Sequence, residues 1–287
     1  MNIETLDLKH QKVINEHFKK LKFLLSEYAF SNLYLFRKIH SYHFIESNGY
    51  FTIQGITRDQ LPYLMLMHPF STEYMNMIQQ VMKNLKIQYL FPVPDEYLKD
   101  LDPLVDSAYF NEGESDYLYQ ALKLAYYPGR HLGKKRNLVQ QLFDHYDVKS
   151  EPLTNQNAQD AKKVLEAWEK ELANPEISND FTMCLEAFEL LDQLNLGGRI
   201  IYADSNPVGF VIGEWLNEDC YSMHFGKALK NVKGSYQYLD QSFAGSIDRP
   251  NSWINFEQDL NIPSLRESKM SYLPDKILKK WRVKLKL

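Results

Sequence analysis

Two carboxylate side chains follow a predicted strand in the last part of this chain. Residues 253–256 alternate in the manner of a strand, so Glu257 and Asp259 fall at or just past its end. Ligands and catalytic side chains collect at strand ends of α/β sheets. A carboxylate in that place could accept a proton from a nucleophile, or it could hold the cationic amine of a substrate.

A short helix is predicted directly after these carboxylates, because Pro263 suits the first turn of a helix. Arg266 and Lys269 are three residues apart, so they share one face of that helix. We expect the two cations to bind a phosphate or another anion. Two structural alternatives remain: Arg266 could pair with Glu257 in a surface salt-bridge network, and Asp259 could cap the helix.

A second group of candidates is a basic turn. Gly129 and Gly133 flank the turn, and Lys134, Lys135 and Arg136 then begin a predicted helix. Cations at the start of a helix oppose its dipole, and this is more easily tolerated when an anion is bound there. The pattern predicts a phosphate site, and the alternative is an ordinary exposed basic turn.

Composition places the chain among soluble globular proteins. It has 287 residues, a hydrophobic content of 44% and a net charge of −4. This length supports one large domain or two ordinary ones, and the mild charge does not by itself indicate nucleic acid or membrane. Cys184 and Cys220 form no C-x-x-C pair, so the sequence offers no zinc ribbon or redox motif and fits a reducing compartment.

No targeting segment or metal site is expected. The N-terminus lacks the basic and apolar regions of a signal peptide, and the longest uncharged stretch, residues 60–72, is too short to span a membrane. We expect a cytoplasmic protein without an integral membrane segment that at most rests on the inner face of the membrane. His40 and His43 have a spacing seen in metal sites, but on a predicted strand they face opposite sides.

The second half of the chain predicts a regular order of elements. Two helices come first, then three meandering strands, a helix, a strand, a short helix and a last strand. The predicted ranges are 157–173, 181–194, 199–204, 208–216, 220–225, 236–247, 253–256 and 281–285, with the short helix after Pro263.

The first half repeats this order more loosely, with strands at 40–46, 50–56, 61–67 and 88–93 and a helix at 72–85. We therefore predict an α/β (α+β) fold of two similar modules, residues 1–150 and 151–287. Each module would be a mixed, mainly antiparallel sheet flanked by helices. Pro152 interrupts the pattern where the two modules join.

A meander followed by a helix and a parallel strand resembles the GNAT acyltransferase fold, so the predicted modules are GNAT-like. In that fold a glycine-rich loop at the strand–helix junction binds the pyrophosphate of acyl-CoA. The corresponding loop here, residues 227–236, holds only Gly234 of the expected glycines. Backbone amides at a helix start can still bind an anion, so acyl-CoA stays an alternative cofactor.

Nearly the whole chain, about residues 30–286, resembles the C-terminal domain of bacterial phosphatidylglycerol lysyltransferases, once catalogued as a domain of unknown function. The most specific part is the string Glu-Gln-Asp-Leu…Leu-Arg…Lys…Tyr-x-Pro at the C-terminal end. Asn261 departs from the family, which usually has a glycine there. The matching residues are Asp116-Tyr117, Gly129-Arg130, Lys134–Asn137, Phe143, Gly209-Phe210, Gly213-Glu214, His224, Gly234–Gln237, Phe243-Ala244, Asn255–Leu260, Leu265-Arg266, Lys269, Tyr272 and Pro274.

The resemblance implies a tandem GNAT fold and transfer of an aminoacyl group from aminoacyl-tRNA to a phosphatidylglycerol-like lipid or another small acceptor. Aminoacyl-tRNA would be the co-substrate, an anionic phospholipid surface a partner, and no further cofactor would be required. The alternatives are a CoA-dependent N-acyltransferase and a non-catalytic binding protein that kept the fold.

The reaction would be aminolysis or alcoholysis of an activated ester, which needs a proton acceptor and donors for the developing oxyanion. The expected catalytic residues are Asp259, Glu257 and His224, although a hydrogen-bonded core position is the favoured interpretation of His224. The expected substrate-binding residues are Lys135, Arg136, Asn137, Gly234, Tyr236, Gln237, Asn255, Arg266 and Lys269.

Overall fold

The computed structural model describes residues 1–171, 180–249 and 251–286. These residues form two compact units. Unit 1 comprises Met1–Tyr117, Glu257–Lys269 and Lys276–Leu287, and unit 2 comprises Leu118–Phe256 and Met270–Asp275.

The strands, in chain order, are β1 (Asn2–Thr5), β2 (His43–Ser47), β3 (Tyr50–Ile56), β4 (Pro62–Leu66), β5 (Tyr89–Val93), β6 (Val105–Phe110), β7 (Asp116–Gln120), β8 (Val148–Pro152), β9 (Gly197–Ala203), β10 (Asn206–Trp215), β11 (Cys220–Ala228), β12 (Trp253–Asn255), β13 (Lys276–Leu278) and β14 (Trp281–Leu285). The α-helices are α1 (Gln11–Leu21), α2 (Phe30–His40), α3 (Thr72–Leu85), α4 (Asp95–Leu101), α5 (Ala121–Tyr126), α6 (Gly133–His145), α7 (Ala158–Lys170), α8 (Phe181–Glu189), α9 (Ser235–Gly245) and α10 (Pro263–Met270).

The sheet of unit 1 has the strand order β1-β2-β3-β4-β5-β14-β6. β4 and β5 run parallel, with Leu64 opposite Leu90, and the other pairs are antiparallel. β14 comes from the end of the chain and lies between β5 and β6, with Val283 opposite Leu90 on one side and Ala108 on the other. The C-terminal segment therefore completes the sheet of the first unit.

The sheet of unit 2 repeats this arrangement in the order β8-β9-β10-β11-β12-β7. β11 and β12 are parallel over three pairs that end with Ser222 opposite Asn255, and the remaining neighbours are antiparallel. β11 also bulges, since Gly213 lies opposite Met223 and Ile212 lies opposite Phe225. His224 is the extra residue of this bulge.

The fold prediction is confirmed: each unit is a mixed, mainly antiparallel sheet with flanking helices, and the two are GNAT-like modules in tandem. The predicted boundary at residue 150 stays a prediction about sequence modules. Compactness groups the chain differently, because residues 118–150 join unit 2 while residues 276–287 return to unit 1.

Helix α3 shows how local pattern creates the core. Tyr74, Ile78 and Val81 recur at helical spacing and are buried against the sheet of unit 1. Ser71 caps the helix, because its hydroxyl accepts a hydrogen bond from the backbone N–H of Tyr74 at 3.2 Å.

Several predicted bounds were wrong. The strand predicted from residue 40 begins at His43, and His40 instead ends helix α2, so these two histidines do not share a strand. The helix predicted over 181–194 ends at Glu189. Helix α7 is described to Lys170, and positions 172 and 173 of its predicted range lie outside the described residues. Among the described residues no helix is long and apolar enough to cross a membrane.

Candidate functional site

The loop after β12 carries unusual backbone strain. Glu257, Leu260 and Asn261 all have positive φ, at 58°, 57° and 59°. Asparagine adopts this left-handed region readily, whereas glutamate and leucine do so at a cost in free energy. We call residues 257–261 the acidic loop. Strain of this kind persists only where surrounding contacts enforce it, and it clusters at functional sites.

Lys269 of helix α10 is one of those contacts. Its Nζ donates hydrogen bonds to the backbone carbonyl oxygens of Glu257 at 3.0 Å and Gln258 at 2.7 Å. Burial lowers the pKa of Lys269 to about 8, although neighbouring carboxylates, Glu257 first among them, favour the charged form. Lys269 therefore fixes the start of the acidic loop with an amine that titrates close to neutral pH.

Asp259 is fully buried, and donors surround its carboxylate. Arg266 binds it in a bidentate manner, with Nε to Oδ2 at 2.6 Å and Nη2 to Oδ1 at 3.1 Å. The Tyr117 hydroxyl donates to Oδ2 at 2.6 Å, and the backbone N–H of Asn261 donates to Oδ1 at 2.8 Å. Although burial opposes the charge, these hydrogen bonds lower the pKa of Asp259.

This geometry makes Asp259 a positioning residue. A carboxylate with a lowered pKa and four donors is a weak proton acceptor. Its bidentate contact instead fixes the direction of the Arg266 guanidinium. The expected alternative in which Arg266 pairs with Glu257 is replaced by this contact, with Glu112 also within 3.8 Å of Arg266.

Glu257 differs from Asp259 because it is only partly buried. The side-chain amide of Asn32, on helix α2, donates to Oε1 of Glu257 at 3.3 Å. A neutral amide orients a carboxylate without neutralising it. Of the two predicted catalytic carboxylates, Glu257 is thus the one with both orientation and access to a ligand.

A fully buried lysine supports this loop from within unit 1. Lys280 Nζ lies 2.6 Å from Asp116 Oδ1 and 2.7 Å from Glu27 Oε2, and it donates to Oε1 of Gln258 at 2.9 Å. The Asp116 carboxylate in turn accepts a hydrogen bond from the backbone N–H of Ser26 at 2.7 Å. We call these five residues the buried ion cluster.

The charges of the buried ion cluster depend on one another. Burial disfavours the ammonium of Lys280, but Asp116 and Glu27 raise its pKa above the ordinary value. Burial raises the pKa of Glu27 to about 7 against the attraction of Lys280. Sequence reasoning did not find this cluster, because its members are spread from residue 26 to residue 280 and each looks ordinary alone.

In unit 2, two cations of the predicted basic turn contact neighbouring groups of the protein itself. Lys135 Nζ donates to the Ser271 hydroxyl at 2.7 Å and lies 3.6 Å from the centroid of the Tyr272 ring. Burial lowers its pKa. Arg136 Nη1 donates to the carbonyl oxygens of Tyr127 and Gly129, the latter at 2.8 Å. Both cations stabilise the turn, while Asn137, also predicted to bind substrate, is exposed on α6.

The start of helix α9 is closely covered by helix α6. Gly234 has a φ of 89°, and a Cβ there would lie 2.2 Å from the carbonyl oxygen of Leu138. The backbone N–H of Ser235, which is buried, donates to the carbonyl oxygen of Val232 at 3.1 Å. The turn therefore contacts protein backbone at the place where a pyrophosphate would need room.

Tyr236 and Gln237 also have partners within unit 2. The hydroxyl of Tyr236 accepts a hydrogen bond from the indole Nε1 of Trp168 at 3.0 Å. The carbonyl oxygen of Gln237 accepts one from the hydroxyl of Tyr127 at 2.8 Å. These contacts join α9 to α7 and to the basic turn.

His224 and Asn255 lie in the sheet of unit 2. The His224 side chain has no exposed surface, and its Nε2 is 3.3 Å from Glu214 Oε1 on the neighbouring strand. Asn255 is fully buried and lies opposite Ser222, where the parallel pairing of β11 and β12 ends. This burial favours the core interpretation of His224 over the catalytic one.

Comparison with known families decides the membership of the chain. The model of the family described as phosphatidylglycerol lysyltransferase, C-terminal, matches residues 18–284. The chain belongs to this family. Members of this family share the acyltransferase-type GNAT fold, and the two units described above have that fold.

The chain is also similar to individual proteins and solved structures. An uncharacterised protein of Mycoplasmoides gallisepticum is 22% identical over 205 residues, which cover 70% of this chain and 66% of that relative, just under two thirds. A conserved protein of unknown function from Bacteroides thetaiotaomicron aligns over 100% of both chains with a TM-score of 0.90 and 22% identity. L-PGS from Bacillus licheniformis aligns over 98% of this chain and 92% of that chain, with a TM-score of 0.64 and 12% identity.

The predicted site residues of this chain fall into two sets. Unit 1 brings together Glu257, Asp259, Arg266 and Lys269 around the acidic loop. The remaining predicted residues, from Lys135 to Asn255, belong to unit 2, where most contribute to packing and turn structure. Unit 1 therefore holds the stronger candidate site.

Unit 2 also contains a titratable group that the sequence did not reveal. Asp240 is buried in helix α9 and hydrogen-bonds with the Tyr272 hydroxyl. Burial raises its pKa from 3.8 to about 7, against the opposing effects of Tyr272 and Lys135. Between these two pH values the folded chain holds a proton that the unfolded chain has released, so stability falls as pH rises from about 4 to 7.

We expect Asp240→Asn to raise the unfolding free energy at pH 8 and to raise it by less than half as much at pH 5, where the folded chain keeps the proton of Asp240. The gain at pH 8 has an upper bound of about 4 kcal/mol, since each pKa unit corresponds to about 1.4 kcal/mol. Urea unfolding at the two pH values measures it. Asp248→Asn, at an exposed site of unit 2, is the matched control. Equal destabilisation by Asp240→Asn at both pH values would contradict the assigned protonation.

Proposed function

We propose that this chain transfers an aminoacyl group from an aminoacyl-tRNA to a hydroxyl group of a phosphatidylglycerol-like lipid. Family membership over residues 18–284 supports the reaction class. The observation that carries the proposal is the acidic loop, where partly exposed Glu257 adjoins Lys269 and a guanidinium fixed by Asp259. No redox centre or nucleotide hydrolysis is needed, because the donor ester is already activated.

In the proposed reaction Glu257 acts as the general base. It takes the proton of the acceptor hydroxyl while that oxygen attacks the carbonyl carbon of the aminoacyl ester. The bond from this carbon to the terminal ribose oxygen of the tRNA then breaks. The proton on Glu257 passes to that leaving oxygen, which restores the carboxylate.

Lys269 and Arg266 are proposed to stabilise negative charge. Below about pH 8 Lys269 carries an ammonium that could favour the oxyanion of the tetrahedral intermediate. Arg266, held by Asp259, is directed to a phosphate of the tRNA end or of the lipid. If Glu257 instead binds the donor's amino group, its replacement by glutamine will raise KM and leave kcat nearly unchanged.

The alternative CoA-dependent reaction is less well supported by the structure. Acyl-CoA would require a free helix start for its pyrophosphate. At the turn before helix α9, Gly234 lies against the backbone carbonyl of Leu138, and Ser235 is buried. We accordingly propose aminoacyl-tRNA as co-substrate with no CoA, and a location at the cytoplasmic face of the membrane, where that donor is present.

Ligand binding separates these proposals. We expect the affinity for tRNA, measured by filter binding, to fall steeply as the salt concentration rises. Lys and Arg contacts to phosphates release counterions, and added salt opposes that release. Acetyl-CoA should show no saturable heat of binding in titration calorimetry. Saturable binding of acetyl-CoA would overturn the choice of donor.

A further inference from the structure

We infer that the turn between helices α5 and α6 docks unit 2 on an anionic phospholipid surface. We call residues 122–134 the docking turn. The inference rests on the proposed function, since it names the surface through which a lipid acceptor would be approached. It concerns residues that have no role in the proposed chemistry.

Helix α5 has one buried side and one exposed apolar side. Ala121 and Leu124 are buried, whereas Leu122 is 43% exposed and Tyr126 is 68% exposed. Leu122 and Tyr126 are four residues apart and therefore lie on the same side of the helix. Two large apolar side chains are therefore exposed side by side on this short helix. Their burial in an apolar environment would be favourable in free energy.

Hydrogen bonds within unit 2 fix the conformation of the segment that follows α5. Tyr127 is fully buried with a positive φ of 44°, and its hydroxyl donates to the carbonyl oxygen of Gln237. The Arg136 guanidinium donates hydrogen bonds to the carbonyl oxygens of Tyr127 and Gly129. Pro128 and Arg130 are exposed at the tip. A rigid tip loses little conformational entropy when it meets a surface.

The charge of this region complements an anionic membrane. The 27 residues from Tyr117 to Phe143 contain no aspartate or glutamate, and they contain five cations, Lys123, Arg130, Lys134, Lys135 and Arg136. Arg130 and Lys134 are exposed at the docking turn itself. Each such cation near an anionic lipid surface favours binding by about 1 kcal/mol, a factor of about five.

The apolar pair favours a membrane over an RNA partner. Cations and a tyrosine could also hold single-stranded RNA by phosphate contacts and base stacking. Leu122 has no flat face for stacking and no charge for a phosphate. It gains free energy only by leaving water, and together with an interfacial tyrosine it is typical of helices that lie in the headgroup region.

Vesicle sedimentation tests the inference without any need for transfer activity. Wild-type protein should bind vesicles of phosphatidylcholine with phosphatidylglycerol, and vesicles of phosphatidylcholine alone at least tenfold more weakly. Leu122→Ser with Tyr126→Ser should weaken binding to the anionic vesicles about tenfold or more. Ile39→Ser, at an exposed site in unit 1, should leave it unchanged.

A fluorescent variant locates the contact directly. Tyr126→Trp should shift its emission to shorter wavelength when anionic vesicles are added, and thermal unfolding should show that each variant keeps its fold. The inference is overturned if the double serine variant binds vesicles as the wild type does. It is also overturned if Arg130→Gln with Lys134→Gln weakens the binding of tRNA but leaves the binding of anionic vesicles unchanged.

These outcomes are separable from failure of the proposed function. Vesicle binding that depends on Leu122 and Tyr126, without any aminoacyl transfer, would support the docking turn and contradict the proposed reaction. Transfer to lipid that is equal in wild type and the double serine variant, with unchanged vesicle binding, would contradict the docking turn and support the reaction.

Discussion

Glu257→Gln should reduce aminoacyl transfer by about 10²- to 10⁴-fold while the thermal unfolding midpoint stays close to that of the wild type. The substitution keeps the shape of the side chain and its contact with Asn32, which donates to Oε1 at 3.3 Å. It removes the negative charge that accepts a proton in the proposed reaction. The measurement is the rate of transfer under single-turnover conditions together with a melting curve.

Glu267→Gln is the matched control for this substitution. Glu267 is exposed on the same short helix α10 as Arg266 and Lys269, so it reports the effect of removing one carboxylate near the site. We expect it to change the rate less than twofold. If Glu257 binds the donor's amino group instead, Glu257→Gln will raise KM and leave kcat nearly unchanged. Unchanged kcat and KM would remove Glu257 from the site altogether.

Lys280→Ala should destabilise unit 1 by about 3–5 kcal/mol, because it leaves two buried carboxylates without their cation. Lys280 Nζ contacts both Asp116 and Glu27 at less than 3 Å, and all three side chains are almost fully buried. The loss also removes the hydrogen bond to the side chain of Gln258 in the acidic loop. Urea unfolding monitored by tryptophan fluorescence measures the change.

The control for Lys280 is Lys276→Ala, four residues earlier on an exposed position of β13. It removes the same type of side chain from an exposed position and should cost less than about 0.5 kcal/mol. Adding Glu27→Gln and Asp116→Asn to Lys280→Ala should recover part of the lost stability, since the uncompensated charges are then gone. Similar unfolding midpoints for Lys280→Ala and Lys276→Ala would contradict the role assigned to the buried ion cluster.

The parts of the fold that sequence predicts well are those set by local pattern. The ranges of β3 and α3 match their predictions residue by residue, because alternation and helical periodicity are properties of neighbouring residues. The placement of β14 between β5 and β6 is different in kind. It depends on pairing between Val283 and residues about 175 to 193 positions earlier, and no local pattern specifies such a partner.

The candidate site shows the same limit. Sequence placed Glu257 and Asp259 together after a strand, and it placed Arg266 and Lys269 on one helix face, which the structure brings together in unit 1. It could not distinguish the two carboxylates. Asp259 is set apart by Tyr117, 142 residues earlier, and by its bidentate contact with Arg266. In the predicted basic turn, Lys135 and Arg136 likewise make hydrogen bonds within the protein, and the sequence pattern alone does not reveal these contacts.

The most direct test of the proposed function follows a labelled amino acid. Purified protein is incubated with total tRNA charged with a mixture of radiolabelled amino acids and with vesicles that contain phosphatidylglycerol, and the organic phase is then separated. The proposal predicts label in a lipid product with wild type and with Glu267→Gln, and a loss of about 10²-fold or more with Glu257→Gln. Label that stays entirely in the aqueous phase with wild-type protein, or equal lipid label with Glu257→Gln, would contradict it.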